Sequence, residues 1–447
     1  MTGRYRAYPE YKESDLKWLG VIPKHWEIVY SKWSFEERKN KANSNDQMLT
    51  ASQKYGVIPQ KMYMALEQQK VVQVQKGHDI LKQVKEYDFV ISMRSFQGGI
   101  EFCEYDGAVS SAYVPLCPQD NISLHYFKYL FKCKQYIQAL QSTTNLVRDG
   151  QALRYSNFLQ VKLPFLPILE ADKIGKFLDH ETAKIDILIA KQEKLIELLK
   201  EKRQAVISHA VTKGLNPNVP MNDSGLEWLG EIPSHWLLTP IKRLAELTPK
   251  KSQVENKKTL LCNFIPMDKL KQDTLILDEE IKINRVFDGY TYFENEDVLI
   301  AKVTPCFENK NMVVARNLKN GIGFGSSEIY VLRCNNKINN DFLYYRLQDN
   351  GFMNIAIAAM TGAGGLKRVP ADVITNFKIA LPPIEEQIKI VKSLQKQVTI
   401  FDELTYKANK TIELMKERKT ALISAAVTGK IDVRDWEPTS QHNGAQG

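Results

Sequence analysis

The chain carries SDLKWLGVIPKHW at residues 14–26 and repeats it as SGLEWLGEIPSHW at residues 224–236, with 9 of 13 positions identical. A second repeated pair lies further along. ELLKEKRQAVISHAVT at residues 197–212 and ELMKERKTALISAAVT at residues 413–428 agree at 10 of 16 positions. A unit of about 210 residues therefore occurs twice in tandem. Such a repeat predicts that the fold consists of two similar structural units, whatever the individual helices and strands are.

The second repeated segment belongs to a long helix in each copy. Apolar residues recur at alternating steps of three and four, which is typical of a coiled-coil seam. The pattern predicts helices at about 173–212 and 385–427, each preceded by proline and ended near glycine. At 1.5 Å per residue, such helices are ~60 Å long.

A helix with one apolar stripe needs a partner. We expect the two helices to pair with each other in antiparallel orientation, although two separate helical hairpins or a homodimer would satisfy the pattern too. The residues predicted to pack in this helix pair are Ile185, Leu188, Leu195, Leu199, Val206, Phe401, Leu404, Met415 and Leu422.

Bulk composition is that of an ordinary globular protein of 447 residues with a net charge of +9. Residues 27–165 hold 17 Lys/Arg against 13 Asp/Glu, and residues 237–380 hold 20 against 16, so the excess lies in the two segments between the repeated ones. No apolar run approaches the ~18 residues that cross a bilayer. The six cysteines have no CxxC spacing, which favours reduced thiols in the cytoplasm.

The two intervening segments share a pattern of short apolar runs followed by a helical stretch, which predicts two small α+β domains with divergent loops. Their basic and amide side chains suit phosphates and base edges. MRSFQGG (93–99) and TGAGGLKR (361–368) concentrate such groups in flexible turns. The candidate DNA-binding residues are Ser52, Lys54, Tyr55, Arg94, Ser95, Gln97, Arg148 and Arg154 in the first segment, and Lys302, Thr304, Asn309, Lys310, Lys367 and Arg368 in the second.

Catalytic patterns are not recognisable. NPN (216–218) and LPPI (381–384) do not fit the Asn/Asp-Pro-Pro-aromatic run of adenine methyltransferases, and GIGFG (321–325) lacks the strand–turn–helix context of a cofactor loop. We assign no catalytic residue and no metal ligand. His25 and His235 each precede a tryptophan, where packing is a simpler role than catalysis.

Taken in order, WLGVIPKHW (18–26), KEKRQAVISHAVTKG (200–214), WLGEIPSHW (228–236), LPPIEEQ (381–387) and KERKTALISAAVTGKIDVRDW (416–436) resemble the specificity subunits of type I restriction–modification enzymes. The first helix start, LPILEADK, departs mildly from the more usual proline-proline-glutamine form. The resemblance covers essentially the whole chain. It implies two target-recognition domains, joined by two long antiparallel coiled-coil helices in a pseudo-two-fold tandem repeat.

The same resemblance implies a division of the chain and a set of partners. The expected segments are 1–26 (aromatic motif), 27–165 (first recognition domain), 166–222 (central helix region), 223–236 (repeated motif), 237–380 (second recognition domain), 381–430 (C-terminal helix region) and 431–447 (polar tail). The expected partners are double-stranded DNA with a bipartite asymmetric target, two methyltransferase subunits and restriction/translocase subunits, with no membrane. S-adenosylmethionine would be bound by the methyltransferase subunits and ATP with Mg by the restriction subunits, and no cofactor by this chain.

Two rival functions are a self-contained DNA methyltransferase or nuclease, and a coiled-coil adaptor that binds only proteins. The missing catalytic patterns disfavour the first, and the two divergent, positively charged segments disfavour the second. Salt-dependent binding to duplex DNA would separate the adaptor from the DNA-recognition hypothesis.

Overall fold

The computed structural model describes residues 5–68, 80–144, 153–363 and 365–438. The chain divides into two compact units: the first unit is residues 1–192 with 410–447, and the second unit is residues 193–409. Both boundaries fall inside the long helices. Each unit therefore contains one globular segment and a part of each long helix.

The first unit is built on short strands around small helices. Its strands are β1 (Tyr11–Glu13), β2 (Val21–Pro23), β3 (Glu27–Val29), β4 (Phe35–Glu37), β5 (Leu49–Ser52), β6 (Gly56–Pro59), β7 (Lys82–Val84), β8 (Phe89–Ile91), β9 (Glu101–Phe102), β10 (Gly107–Val109), β11 (Val114–Pro118) and β12 (Leu163–Phe165). Its short helices are α1 (Gln60–Glu67), α2 (Ser95–Gly98), α3 (Leu124–Leu130), α4 (Lys134–Gln141) and α5 (Tyr155–Phe158). The largest sheet has the order β4-β11-β8-β9 and is antiparallel.

Two helices exceed forty residues: α6 (Ile168–Lys213) and α11 (Ile384–Val427). Both predicted helices are confirmed, and α6 begins about a turn earlier than predicted. The carbonyl of Pro167 accepts from Glu170 N at 2.9 Å, and that of Pro383 accepts from Glu386 N at 2.9 Å. Each helix thus starts directly after its proline, with acidic residues in the first turn, where the helix dipole favours them.

The second unit repeats the frame and adds a second sheet. Its strands are β13 (Met221–Asp223), β14 (Glu231–Pro233), β15 (Leu237–Pro240), β16 (Ala245–Leu247), β17 (Leu261–Ile265), β18 (Leu270–Lys271), β19 (Thr274–Leu275), β20 (Glu280–Lys282), β21 (Thr291–Glu294), β22 (Val298–Ala301), β23 (Met312–Val314), β24 (Ile322–Gly325), β25 (Ile329–Cys334), β26 (Thr361–Ala363), β27 (Leu366–Arg368) and β28 (Lys378–Leu381). Its short helices are α7 (Ile283–Val286), α8 (Asn340–Leu347), α9 (Asn350–Ala358) and α10 (Ala371–Asn376). The sheet β16-β25-β22-β23 matches the main sheet of the first unit.

A Ser-Ser pair separates two strands in each unit, at residues 110–111 in the first and 326–327 in the second. Ser110 Oγ accepts from Ala112 N at 3.3 Å between β10 and β11, and Ser326 Oγ accepts from Glu328 N at 3.2 Å between β24 and β25. Such serine turns compete with strand pairing. The equivalent placement of both turns confirms the shared frame.

Inside each unit the two long helices contribute antiparallel segments to one core. In the first unit, Lys419 of α11 pairs with Asp186 of α6 at 2.7 Å, and Leu422 packs in the same core as Ile185. In the second unit, Arg203 of α6 pairs with Asp402 of α11 at 3.3 Å. The internal helix pairing is therefore the arrangement observed.

The helix seam differs from the predicted one by a single position. Leu188, Leu195 and Leu404 are 46%, 43% and 43% exposed, so the prediction that they pack inside the pair is wrong. Ile189 and Ile196 are half-buried instead. Steps of three and four allow either choice after Ile185, and packing selected the step of four. Of the other predicted residues, Ile185 and Leu422 are buried, and Leu199, Val206, Phe401 and Met415 are half-buried.

Candidate nucleic-acid interface

An exposed two-stranded ribbon projects from the second unit. It consists of β26 and β27, which pair in antiparallel register with Thr361 opposite Arg368, and all six strand residues are exposed. A β-ribbon of two strands is one of the elements that the DNA major groove admits. The ribbon contains most of the predicted TGAGGLKR cluster.

The second strand of the ribbon is anchored along its inner edge. Thr304 N donates to Lys367 O at 3.0 Å, and Thr304 Oγ1 both donates to Gly365 O at 2.9 Å and accepts from Lys367 N at 3.0 Å. Val369 N donates to Lys302 O at 2.9 Å. The ribbon is thus held by backbone contacts while its side chains remain available.

Arg368 is the most sharply positioned side chain of the ribbon. Its Nε and Nη2 donate to the two carboxylate oxygens of Glu328, both at 2.9 Å. These hydrogen bonds lower the pKa of Glu328, which favours its ionised form. An arginine guanidinium in a fixed plane can donate two parallel hydrogen bonds to O6 and N7 of one guanine.

Lys302 completes this group. Its ammonium lies 5.0 Å from the ring centre of Tyr330, whose hydroxyl donates to Val369 O at 2.9 Å. The structure therefore brings together four of the predicted residues of the second unit: Lys302, Thr304, Lys367 and Arg368.

Asn309 and Lys310 do not join the ribbon. Lys310 Nζ donates to Gln204 Oε1 at 2.5 Å and to Gln348 O at 2.9 Å, and burial lowers its pKa. It therefore ties the globular part of the second unit to α6, and its role as a DNA contact stays a prediction. Asn309 is exposed beside it.

In the first unit, the turn between β5 and β6 presents Lys54 and Tyr55. Ser52 Oγ accepts from Lys54 N and Tyr55 N at 3.3 and 3.4 Å, so Ser52 shapes the turn. Lys54 Nζ lies 4.7 Å from the ring centre of Tyr55, and both side chains hydrogen bond to Glu67. The turn is a basic and aromatic surface.

The MRSFQGG segment forms the short helix α2. Ser95 is fully buried and its Oγ accepts from Ser92 N at 2.8 Å, so the prediction of Ser95 as a DNA contact is wrong. Arg94 and Gln97 are exposed on either side of it. Arg154 is exposed just before α5, and Arg148 lies outside the described residues.

Sequence reasoning missed a lysine-rich cleft in the first unit. Its volume is about 440 Å³, and its lining includes Lys54, Lys128, Lys132 and Lys419. Lys128 and Lys132 are one helical turn apart at the end of α3, but Lys419 comes from α11. The helical spacing of the first two was the only signal in the sequence.

The repeated aromatic motif binds the start of each long helix. In the first unit, Glu170 accepts from Tyr8 OH at 2.7 Å and from Trp26 Nε1 at 2.9 Å, and His25 Nε2 lies 2.7 Å away. In the second unit, Glu386 accepts a hydrogen bond from Trp236 Nε1 at 3.2 Å, and His235 Nε2 lies 2.8 Å from its other carboxylate oxygen. The histidines thus position a helix, as the packing interpretation expected, through a carboxylate that the sequence did not reveal.

Three observations bound the chemistry of the described residues. Within the described ranges, no group of three or more His, Cys, Asp or Glu side chains is placed to hold a metal ion. The six cysteines are free thiols. Among the same residues, no helix is both long and apolar enough to cross a membrane.

One family model matches the second half of the chain. Residues 235–418 match the family model of the type I restriction modification DNA specificity domain. The match covers 184 of the 447 residues of the chain. This match spans most of the second unit's globular segment and much of α11, while the repeat extends the same frame to the first unit.

Similar curated proteins are specificity subunits. The EcoAI specificity subunit of Escherichia coli is 32% identical over 219 residues, covering 47% of this chain and 37% of that protein. The MjaVIII specificity subunit of Methanocaldococcus jannaschii is 29% identical over 368 residues, covering 79% of this chain and 81% of that protein. The matched region spans little more than a third of the EcoAI and EcoEI subunits, at 37% and 36% of their lengths.

Solved structures confirm the fold. The HsdS subunit from Thermoanaerobacter tengcongensis aligns with a TM-score of 0.54 at 14% identity, covering 92% of this chain and 98% of that chain. A chain from a structure on complex assembly and conformational transition of the type I R-M system aligns with a TM-score of 0.62 at 14% identity, covering 92% and 99%. The α+β architecture with two long helices is therefore shared.

Proposed function

We propose that this chain is the DNA-recognition subunit of a type I restriction–modification complex. Each unit would read one half of a bipartite, asymmetric target in double-stranded DNA. The observation that carries the proposal is the anchored ribbon β26–β27, whose Arg368 and Lys367 project from a rigid frame. Its position in a domain of the specificity family supports a reading role.

The long helices would bind the partner subunits. In the second unit, Leu195, Leu198 and Leu404 are exposed on the outer faces of α6 and α11. Apolar residues exposed along one element mark interaction surfaces in soluble proteins. We propose two methyltransferase subunits as the partners there, with restriction/translocase subunits joining the complex.

Catalysis would belong to those partners. S-adenosylmethionine would be bound by the methyltransferase subunits, and ATP with Mg by the restriction subunits, in the cytoplasm where the DNA is accessible. In this proposal the chain itself supplies recognition and assembly and transfers no methyl group.

The test is to map methylated sites in random DNA with the assembled complex, comparing Arg368→Ala with the unaltered chain. If Arg368 binds a guanine in bidentate fashion, its loss should relax one position of one half-site, with a cost of about 1–3 kcal/mol in discrimination. Arg316→Ala is the matched control, because Arg316 is similarly exposed (42% against 46%) and also paired with carboxylates, but lies outside the ribbon.

An unchanged site preference for Arg368→Ala would remove the ribbon from the recognition surface. Methyl transfer by the purified chain without partners would instead support the rival reading as a self-contained methyltransferase. Failure of the unaltered chain to bind duplex DNA at low salt would favour the protein-only adaptor.

A further inference from the structure

The lysine cleft of the first unit lies between elements that are distant in sequence. The tip of the β5–β6 hairpin, strand β9, the end of α3 and the C-terminal part of α11 line it. Lys54, Lys128, Lys132 and Lys419 face this one space of about 440 Å³, together with Glu101 and Glu104. Four ammonium groups therefore share a small volume with two carboxylates.

Three of these lysines, Lys54, Lys132 and Lys419, form an ion pair with a carboxylate. Lys132 forms an ion pair with the buried Glu101 at 2.5 Å, and Lys419 binds both oxygens of Asp186 at 2.7 Å. Lys128 differs: its ammonium lies 5.7 Å from the ring centre of Phe102, and no carboxylate of the described residues lies within ion-pair distance of it. Lys128 is therefore the cation of the cleft that is available to an external anion, although Glu104 lines the same space.

In the equivalent region of the second unit, a carboxylate lies among the corresponding side chains. Tyr344, Gln348 and Arg203 stand 216 residues from Lys128, Lys132 and Lys419. There Asp273 binds Arg203 at 2.7 Å, and it accepts hydrogen bonds from Tyr344 OH and from Gln348 Nε2 at 3.4 Å. The second unit also has a cleft here, of about 430 Å³. At the three corresponding positions the first unit has three lysines and the second has one arginine paired with a carboxylate, so the lysines are not a requirement of the shared fold.

The chemistry of the cleft suits a nucleic-acid strand. Lysine binds phosphate as a point charge on a flexible stem, without the planar geometry that arginine demands. The rings of Tyr55 and Phe102 give flat apolar surfaces beside these charges, as in proteins that combine a basic groove with aromatic side chains. The cleft also begins at Lys54 and Tyr55, the exposed hairpin tip.

We infer that this cleft receives backbone phosphates of the DNA strand that the first unit reads, with Lys128 as the principal phosphate ligand. The inference rests on the proposed function and adds a contact that fixes register without reading sequence. Phosphate contacts of this kind orient a protein on the duplex and make its affinity salt-dependent.

The test measures binding of the full chain to a random-sequence duplex across a series of salt concentrations. The Lys54→Gln/Lys128→Gln double variant should reduce the slope of log K against log salt by about two, because each phosphate contact contributes about one. Lys128→Arg keeps the charge and should keep the slope. Lys24→Gln is the matched control: it removes an exposed, carboxylate-paired lysine of the first unit outside the cleft.

An unchanged slope in the double variant, with the unaltered chain still binding DNA, would overturn the cleft assignment and leave the proposed function standing. An unaltered chain that fails to bind duplex DNA would instead overturn the proposed function. Adenosine monophosphate serves as the probe for a free ligand. Thermal stabilisation by this nucleotide that the double variant loses, with an unchanged DNA slope, would make a free nucleotide the occupant and overturn the DNA assignment.

Discussion

The two units share a frame but place their charges differently. Helices α3 and α8 correspond at an offset of 216, and their N-caps, Ser123 and Asn339, each accept a hydrogen bond from the residue three positions later. On this common helix the first unit carries Lys128 where the second carries Tyr344. The backbone frame is thus conserved between the units, while exposed charges are free to diverge. Under the proposed function, two recognition modules with different targets would show this pattern.

At the start of each long helix, a glutamate is bound by the Trp and His of the repeated aromatic motif; we call these two contacts the first and second clamp. The two glutamates, Glu170 and Glu386, differ in how deeply they are buried. The side chain of Glu170 is 6% exposed and that of Glu386 is 31% exposed. Glu170 also has a third partner, Tyr8, whose pKa is raised by burial and by this carboxylate. The first clamp should therefore contribute more stability than the second.

The largest predicted effect follows from that difference. Glu170→Ala should destabilise the first unit by about 4 kcal/mol, because buried donors of Trp26 and Tyr8 lose a charged acceptor. Glu386→Ala should cost the second unit about 2 kcal/mol, since water can replace part of its contact. Hydrogen exchange of peptides from each unit measures both locally. Equal losses in the two units would show that burial of the clamp does not matter.

Glycine residues that end the long helices give a second, smaller contrast. Gly429 and Gly214 both have positive φ, at 70° and 78°. A Cβ on Gly429 would lie 2.3 Å from Pro23 Cδ, whereas one on Gly214 would lie 3.3 Å from the Trp236 ring. Gly429→Ala should therefore destabilise the first unit by about 3 kcal/mol, through left-handed strain plus overpacking, and Gly214→Ala the second by about 1 kcal/mol.

The thermal midpoints of both alanine variants, combined with hydrogen exchange, check this order. A larger loss for Gly214→Ala would mean that the Pro23 contact relaxes by a small shift of the aromatic motif. The double variant should show additive losses, because the two glycines lie in separate units.

The long helices were predictable because their signal is local and repeated over many turns. The seam was less so: Leu188 and Ile189 are both apolar, and only packing decided that Ile189 turns inward. The end of β10 at Ser110 has no such periodic signal, because a serine turn lies there in which the hydroxyl accepts from Ala112 N. Periodicity locates an element, while side-chain hydrogen bonds decide where it ends.

The candidate interface shows the same limit. Lys367 and Arg368 were predicted because TGAGGLKR concentrates basic groups in a flexible turn, and Thr304 was predicted from its residue type. The lysine cleft was not found, because Lys54, Lys128 and Lys419 meet only through tertiary packing. Lys310 and Ser95 were chosen for their residue type, and burial gave both of them structural roles.

The lysine cleft of the first unit is lined by a buried carboxylate, Glu101, that the second unit lacks at the corresponding position. Glu101 on β9 pairs with Val90 of β8, and the corresponding strand position in the second unit is Val313, which pairs with Leu299. Burial raises the pKa of Glu101 above its ordinary value of 4.5, and Lys132 opposes that rise. The first unit therefore contains a titrating group where the second has a valine.

The smallest predicted effect is a pH dependence confined to the first unit. Because the folded pKa of Glu101 exceeds the unfolded one, the folded state binds the proton more tightly. Its stabilising contribution is complete below pH 4.5 and is lost as the pH rises through the folded pKa. Glu101→Gln cannot ionise, so the variant should match the unaltered chain in acid and exceed it in stability at neutral pH.

Hydrogen exchange of the first unit on both sides of that pH window measures the difference. Val313→Ala is the matched control: it removes packing volume at the corresponding strand position without a titrating group, so it should lower the stability of the second unit equally at every pH. A Glu101→Gln variant less stable than the unaltered chain at neutral pH would show that the Lys132 ion pair outweighs the cost of burying the carboxylate. In that case the ionised carboxylate of Glu101 would stabilise the first unit, and the position of Lys132 in the cleft would depend on that carboxylate.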